Sequence, residues 1–275
     1  MRSPAPKESE ARPRALLMCP PDYFEVAYEI NPWMHVERKV DAAKAKTQWR
    51  KYYELLTGTL SVKVELMAPV RGLPDMVFTA NGGLVRKRTF IRSNFRHKER
   101  RGEETHYETW FRKNGYIVKK IERPFAFEGE GDALFMGSEL YTGFHFRSDV
   151  EAHDEISGLL GVPYFAIELA DKRFYHLDTC FAPLNETSAL FYLEAFEPYA
   201  QLVLLESVSD PIRVPEEEAL RFACNAVVLG TNVVMPEGCP KTAGELEKRG
   251  FRVYALDFSE FMKAGGAAKC LALQL

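Results

Sequence analysis

One phrase recurs along this chain and constrains its fold more than any other feature: a helical stretch ending at glycine, a half-buried strand, then reactive side chains ahead of a short apolar run. Residues 41–56 place Ala42, Ala45, Trp49, Tyr52, Tyr53 and Leu56 at helical spacing and stop at Gly58, and residues 60–66 then alternate apolar and polar. The pattern returns with Tyr107, Trp110 and Phe111, ending at Gly115 before the strand pattern of 116–121. It returns again at 150–160 with Gly161 before 164–169, and at 242–249 with Gly250 before 251–256. The remaining unit offers two helical candidates, 215–223 and 193–200.

The reactive positions keep the same period. Asn81 stands in FTANGGLV, Glu128 and Asp132 in FEGEGDALF, His176 and Asp178 in YHLDTCF, Asn225 in ACNAVVLG and Cys270 in AKCLALQL. Successive separations from Asn81 through Asp132, Asp178 and Asn225 to Cys270 are 51, 46, 47 and 45 residues. A constant period of this size marks a repeat architecture. Five small α/β units close most simply into a ring, in which equivalent positions face one axis and gather these side chains into a central pocket. The expectation is one domain over 14–275, preceded by a frayed tail, 1–13, that carries Pro4, Pro6 and Pro13.

Composition narrows the partners. With 275 residues, 46% apolar and 12% aromatic, the chain is ordered and globular rather than disordered or fibrous. The net charge of −3 supplies no global field for nucleic acid or anionic membrane. Residues 86–101 hold eight Lys and Arg, but no RNA-binding motif accompanies them, so they read as a solvated face that can lend an arginine to a small carboxylate. No apolar run approaches the ~20 residues of a membrane helix, and no secretory leader pattern opens the chain. The five cysteines include no CxxC pair and no metal-ligand spacing, which argues against a disulfide framework and a zinc site. A reducing cytoplasm, a small-molecule substrate and no metal or other cofactor are expected; the oligomeric state stays open, a homo-oligomer included.

The residue types then suggest covalent chemistry. A buried cysteine alone is usually inert, but Cys270 comes with His176 and Asp178, two apart and therefore on one face if extended, which sets a base beside an anion. The acids of 128–132 read as a turn between bulky apolar residues, with carboxylates buried enough to need a cation, which a cationic substrate would supply.

Taken together, the motifs resemble the guanidine-modifying enzyme superfamily of arginine deiminases, arginine dihydrolases, dimethylarginine dimethylaminohydrolases and amidinotransferases. The resemblance runs from about residue 16 onward, through MCPPDYFEVAYEINPWM (18–34), PDMVFTANGG (74–83), FEGEGD (127–132), GFHFR ending at Arg147, YHLDT (175–179) and Cys270. It implies the pentein fold, a five-fold pseudosymmetric α/β propeller with its active site on the axis. It also implies Cys270 as nucleophile, His176 as general acid and base, and Glu128 and Asp178 as the acids that hold a guanidinium. Arg100 and Arg147 would bind the substrate α-carboxylate, with further substrate contacts from Asn31, Asp75 and Asn81. Dimethylaminohydrolases usually show Glu-Asp where this chain has Ala80-Asn81, and they generally lack the acid at Asp178. Asn81, the NPW around Asn31 and HLDT look more like the arginine dihydrolases, which carry arginine to ornithine, CO2 and two ammonia. The implied reaction is therefore hydrolysis at the guanidino carbon of L-arginine, to ornithine or to citrulline. The alternatives are hydrolysis of methylated arginine, amidino transfer and, in another class, a non-catalytic binding protein of the same fold. Ala272 stands where relatives often carry a hydroxyl residue.

Overall fold

The computed structural model describes residues 15–122 and 124–275, so the expected tail of 1–13 lies outside the described residues. Strand β1 (Leu16–Met18) runs parallel to β2 (Val64–Leu66), with helix α1 (Ala42–Glu54) between them. The next unit makes a hairpin of β3 (Gly83–Arg86) and β4 (Thr89–Arg92), then α2 (Glu103–Lys113), then β5 (Ile117–Lys120) parallel to β4. The same plan gives β6 (Ala133–Met136), β7 (Glu139–Phe144), α3 (Glu151–Leu160) and β8 (Tyr164–Glu168). It gives β9 (Phe181–Pro183), β10 (Ser188–Phe191), α4 (Pro198–Ser207) and β11 (Asp210–Arg213), followed by the short helix α5 (Glu216–Ala219). The last full unit is β12 (Val227–Leu229), β13 (Asn232–Pro236), α6 (Pro240–Lys248) and β14 (Arg252–Leu256).

After α7 (Ser259–Met262), β15 (Leu273–Gln274) pairs antiparallel with β1, Leu16 opposite Gln274 and Leu17 opposite Leu273. The first sheet is thus built from both ends of the described chain, which closes the ring. Each of the five sheets has one central strand with an antiparallel and a parallel neighbour. Antiparallel strands of neighbouring sheets pack together, β15 with β3 and β6 with β9, so these strands surround one axis. This is the expected five-bladed α/β propeller. Its helices carry the parallel crossovers that such strands require.

Local chemistry explains most boundaries. Asp41 caps α1 by accepting from the Ala43 and Lys44 backbone N–H groups. Gly161 ends α3 in the left-handed conformation, with φ 65°. Two expectations need correction. The strand of 60–66 shrinks to β2, because a π-helical turn, Leu55–Thr59, follows α1 and Ser61 takes φ 53°. The fourth crossover helix is α4, which shares only 198–200 with the candidate 193–200, while the candidate 215–223 holds the short α5 after β11. In α4 only Ala200 and Leu204 are buried while Tyr199 and Leu202 are 77% and 58% exposed, so apolar residues occupy both faces and leave no stripe for periodicity to find.

Candidate active site

Every reactive position sits on a tight turn that feeds an antiparallel strand beside the axis. Asn81 lies in the 3₁₀ turn Thr79–Gly82 before β3, and Glu128 immediately precedes the turn Gly129–Gly131 before β6. His176 precedes the turn Leu177–Thr179 before β9. Asn225 and Cys270 stand on the turns before β12 and β15. The turn at 176–178 corrects the extended reading of that segment: His176 and Asp178 do not share a strand face, and each meets a different partner.

Two glycines make the 128–132 turn possible. Gly129 has φ 58°, and a Cβ there would stand 2.5 Å from the Gly83 carbonyl oxygen. A Cβ on Gly131 would stand 2.5 Å from Asn81 Nδ2 and 3.1 Å from His176 Nδ1. The missing side chain is what lets Asn81 and His176 approach each other.

Glu128 is the hub. Its Oε2 accepts from Arg147 Nη1 at 2.8 Å and faces His176 Nε2 at 2.8 Å, and all three side chains are buried. Burial opposes its ionisation, but the Arg147 and His176 charges outweigh that and hold the carboxyl well below the usual range. The neighbouring acids also find partners within the protein. Glu130 pairs with Lys269 at 2.6 Å, and Asp132 accepts from Ser148 Oγ at 2.6 Å and from the Leu177 N–H at 3.0 Å. The cation these carboxylates need is therefore supplied for Glu128 and Glu130 by Arg147 and Lys269, where the sequence suggested a substrate. Arg147 also donates to the Ile30 carbonyl at 3.0 Å and lies over the Tyr175 ring.

Cys270 is 2% exposed, and its sulfur lies 3.3 Å from Asp178 Oδ2 and 3.1 Å from Asn225 Nδ2. Burial pushes the Cys270 thiol well above its usual value, and the Asp178 carboxylate adds to the shift. Burial likewise raises the Asp178 carboxyl to about 7. Asn81 and Arg100 form the third group. Arg100 makes a two-pronged pair with Glu103, at 2.9 and 2.8 Å, and donates from Nη1 to Asn81 Oδ1 at 2.8 Å. A guanidinium only donates, so the Asn81 atom facing it is the oxygen and Nδ2 points the other way. Asp75 Oδ2 lies 3.9 Å from Arg100 Nε, and burial raises the Asp75 carboxyl.

Asn31 stands at the edge of this assembly. Its amide fastens one backbone segment to another: Nδ2 donates to the Ala264 carbonyl at 3.0 Å, and Oδ1 accepts from the Trp33 N–H at 2.9 Å. The structure thus links Glu128, His176 and Arg147 in one network, Cys270 and Asp178 in a second, and Asn81, Arg100 and Asp75 in a third. The Arg100 fork is engaged by Glu103. Sequence reasoning counted Asn225 among the repeating positions without giving it a role; its equivalence in the repeat was the available signal. Four buried polar atoms here have no hydrogen-bond partner: Asp75 Oδ1, Asn81 Nδ2, His176 Nδ1 and Asp178 Oδ1. Unpaired buried polar atoms are costly, and these four, on residues of three neighbouring networks, make the region suited to a polar ligand. Among the described residues, the group of three side chains close enough to share a metal ion is Glu29, His35 and Glu37, none of them in this assembly. No helix there is long and apolar enough to cross a membrane.

Known proteins are similar to this chain in sequence and fold. The family pattern described as N,N dimethylarginine dimethylhydrolase, eukaryotic, matches residues 21–275. The chain is 42% identical over 265 residues to the bifunctional arginine dihydrolase/ornithine cyclodeaminase ArgZ of Synechocystis sp., covering 94% of this chain but only 37% of that protein. It is 40% identical to the N(G),N(G)-dimethylarginine dimethylaminohydrolase of Mycobacterium tuberculosis, over 98% of this chain and 89% of that one. Among solved structures, the substrate-bound N-terminal domain of ArgZ superposes with a TM-score of 0.91 at 41% identity, covering 94% of this chain and 97% of that one. The propeller, the order of its motifs and these matches agree: the chain belongs to the N,N-dimethylarginine dimethylhydrolase family, among the guanidine-modifying enzymes.

Proposed function

We propose that this protein hydrolyses L-arginine at the guanidino carbon, and that the orientation of the Asn81 amide carries the onward hydrolysis of the ureido product. The cationic group would lie between Glu128 and Asp178, with Arg147 and Asp75 nearby for the amino-acid end. A guanidinium beside Cys270 lowers the thiol pKa that burial raises, so the nucleophile ionises when substrate binds. The thiolate attacks the guanidino carbon, and the C–N bond breaks as His176 protonates the leaving nitrogen, releasing ammonia. His176, held by Glu128, then takes a proton from water, and attack by that water breaks the C–S bond to leave a ureido group.

At this stage Asn81 separates the possible outcomes. Its Nδ2 is a buried donor without a partner and its oxygen is turned to Arg100, so the free end of the amide can bind a carbonyl oxygen and offers a cation no acceptor. A retained ureido product would meet the same cysteine a second time. Release of a second ammonia and addition of a second water leave a carbamate, which loses CO2 to give ornithine. This reading fits the arginine dihydrolase part of ArgZ, to which the chain is similar.

A second reading, hydrolysis of methylated arginine to citrulline, is favoured by the family match and by the mycobacterial relative. Incubation with arginine, monomethylarginine and dimethylarginine, with separation of ornithine, citrulline, ammonia and methylamines, decides between them. Ornithine from arginine is expected. Citrulline from dimethylarginine with no turnover of arginine would overturn the first reading, and full activity of Cys270→Ser would overturn both. The proposal places this chemistry in one cytoplasmic, cofactor-free domain over 14–275.

A further inference from the structure

Asn225 is fully buried at the axis and makes more contacts with the cysteine than any role given so far requires. Its Oδ1 accepts two backbone N–H groups, Ala267 at 3.0 Å and Cys270 at 3.2 Å. Only the amide oxygen can accept them, so Nδ2 is turned the opposite way, where it donates to the Asp178 carbonyl at 3.1 Å and to Cys270 Sγ at 3.1 Å. The Asn225 carbonyl in turn accepts from the Lys269 N–H at 3.2 Å. One side chain therefore holds the backbone of Cys270, its sulfur and the backbone of the acid beside it.

We propose that Asn225 is a catalytic residue: its amide donates a hydrogen bond to the Cys270 thiolate and fixes the direction from which the sulfur attacks. This rests on the reading of Cys270 as the nucleophile. The other polar groups on the sulfur are Asp178, whose ionised carboxylate repels a thiolate, and the Ala267 backbone N–H, so Asn225 is the side-chain donor. Asn225 supplies the donor that a buried thiolate needs, and it does so without adding charge to the pocket. Two backbone bonds pre-set its orientation, so no reorganisation is needed when the proton leaves the sulfur. Serine or aspartate at this position would alter that donor in different ways. Aspartate keeps the acceptor for both backbone groups but removes the donor and adds a charge. Serine keeps a donor but is too short to span both partners.

The test is the pH dependence of Cys270 alkylation by iodoacetamide in the substrate-free full chain, followed by mass analysis of the peptide containing Cys270. In Asn225→Asp the inflection should rise by about one unit, with alkylation near neutral pH about tenfold slower. The value of kcat for arginine should fall about 10- to 100-fold while KM changes little. Asn225→Ser should fall between the variant and the wild type in both readouts. Alkylation curves identical to wild type in folded variants, judged by circular dichroism and melting temperature, would overturn the proposal; so would failure of both variants to fold, which would make Asn225 a scaffold residue. Full turnover in Cys270→Ser overturns the underlying reaction instead, so the two failures are separable.

Discussion

Arg100 Nη1 meets Asn81 Oδ1 at 2.8 Å, and this contact decides which end of the Asn81 amide faces the site. Glu103 holds the Arg100 fork in place. Burial lifts the Glu103 carboxyl to about 7 even against the Arg100 charge, so the pair is maintained at a cost. Glu103→Gln loosens Arg100 and frees Asn81 to rotate. Product analysis should then show citrulline rising about fivefold relative to ornithine, which corresponds to the loss of roughly 1 kcal/mol of hydrogen bonding. Asn81→Asp, which replaces the donor by a carboxylate, should shift the ratio further in the same direction. An unchanged ratio in both variants would place the choice of product elsewhere.

Glu128 carries two partners on one oxygen, and its removal acts on both. In Glu128→Gln the amide has no charge to hold either Arg147 or a protonated His176. Loss of an oriented acid and base costs about 10²- to 10⁴-fold in rate, so kcat should fall by at least 10². Melting temperature should fall as well, because a buried Arg147 loses its counter-charge. A variant with kcat within threefold of wild type would remove His176 from its acid and base role.

Asp178 links stability to pH. Its ordinary value of 3.8 is raised to about 7 in the folded protein, chiefly by burial. Between those values the folded state keeps a proton that the unfolded chain has released, so stability from this group falls as pH rises from about 4 to about 7. Asp178→Asn should therefore stabilise the protein against denaturant more at about pH 8 than at about pH 5, the difference being about 2–3 kcal/mol. The same ionisation serves a cationic substrate: kcat/KM for arginine should fall as pH drops through about 7, and that limb should be absent in the variant. Equal stabilisation at both pH values would contradict the shift.

Ring closure rests on a short pairing. Leu273 is fully buried opposite Leu17 and lies three residues beyond Cys270. Leu273→Ala should cost about 2–5 kcal/mol in denaturant unfolding. It should also lower kcat, because β15 anchors the turn that carries Cys270. Loss of stability with unchanged kcat would show that the turn is held without the strand.

The period of the reactive positions, the residue types on them and the glycines that end the helices were all legible in the linear order. They depend on local propensity and on residue type at fixed spacing, which a single chain displays directly. So was the placing of Cys270, His176, Glu128, Asp178 and Asn81 at equivalent positions of the repeat, on the turns beside the axis. What the order of residues left undecided was partnership. Glu128 binds Arg147 and His176 within the protein, Glu130 takes Lys269, and Arg100 turns Asn81; each pair is brought together from different segments of the ring. Asn225 was visible as a repeat position, and only its two backbone acceptor bonds reveal which way its amide points. Helix α4 escaped periodicity because apolar residues occupy both of its faces, and β15 is too short to carry a pattern. Chain order determines which groups reach the axis, and three-dimensional packing decides which of them spend their charges on each other and which keep an unpaired atom for a ligand.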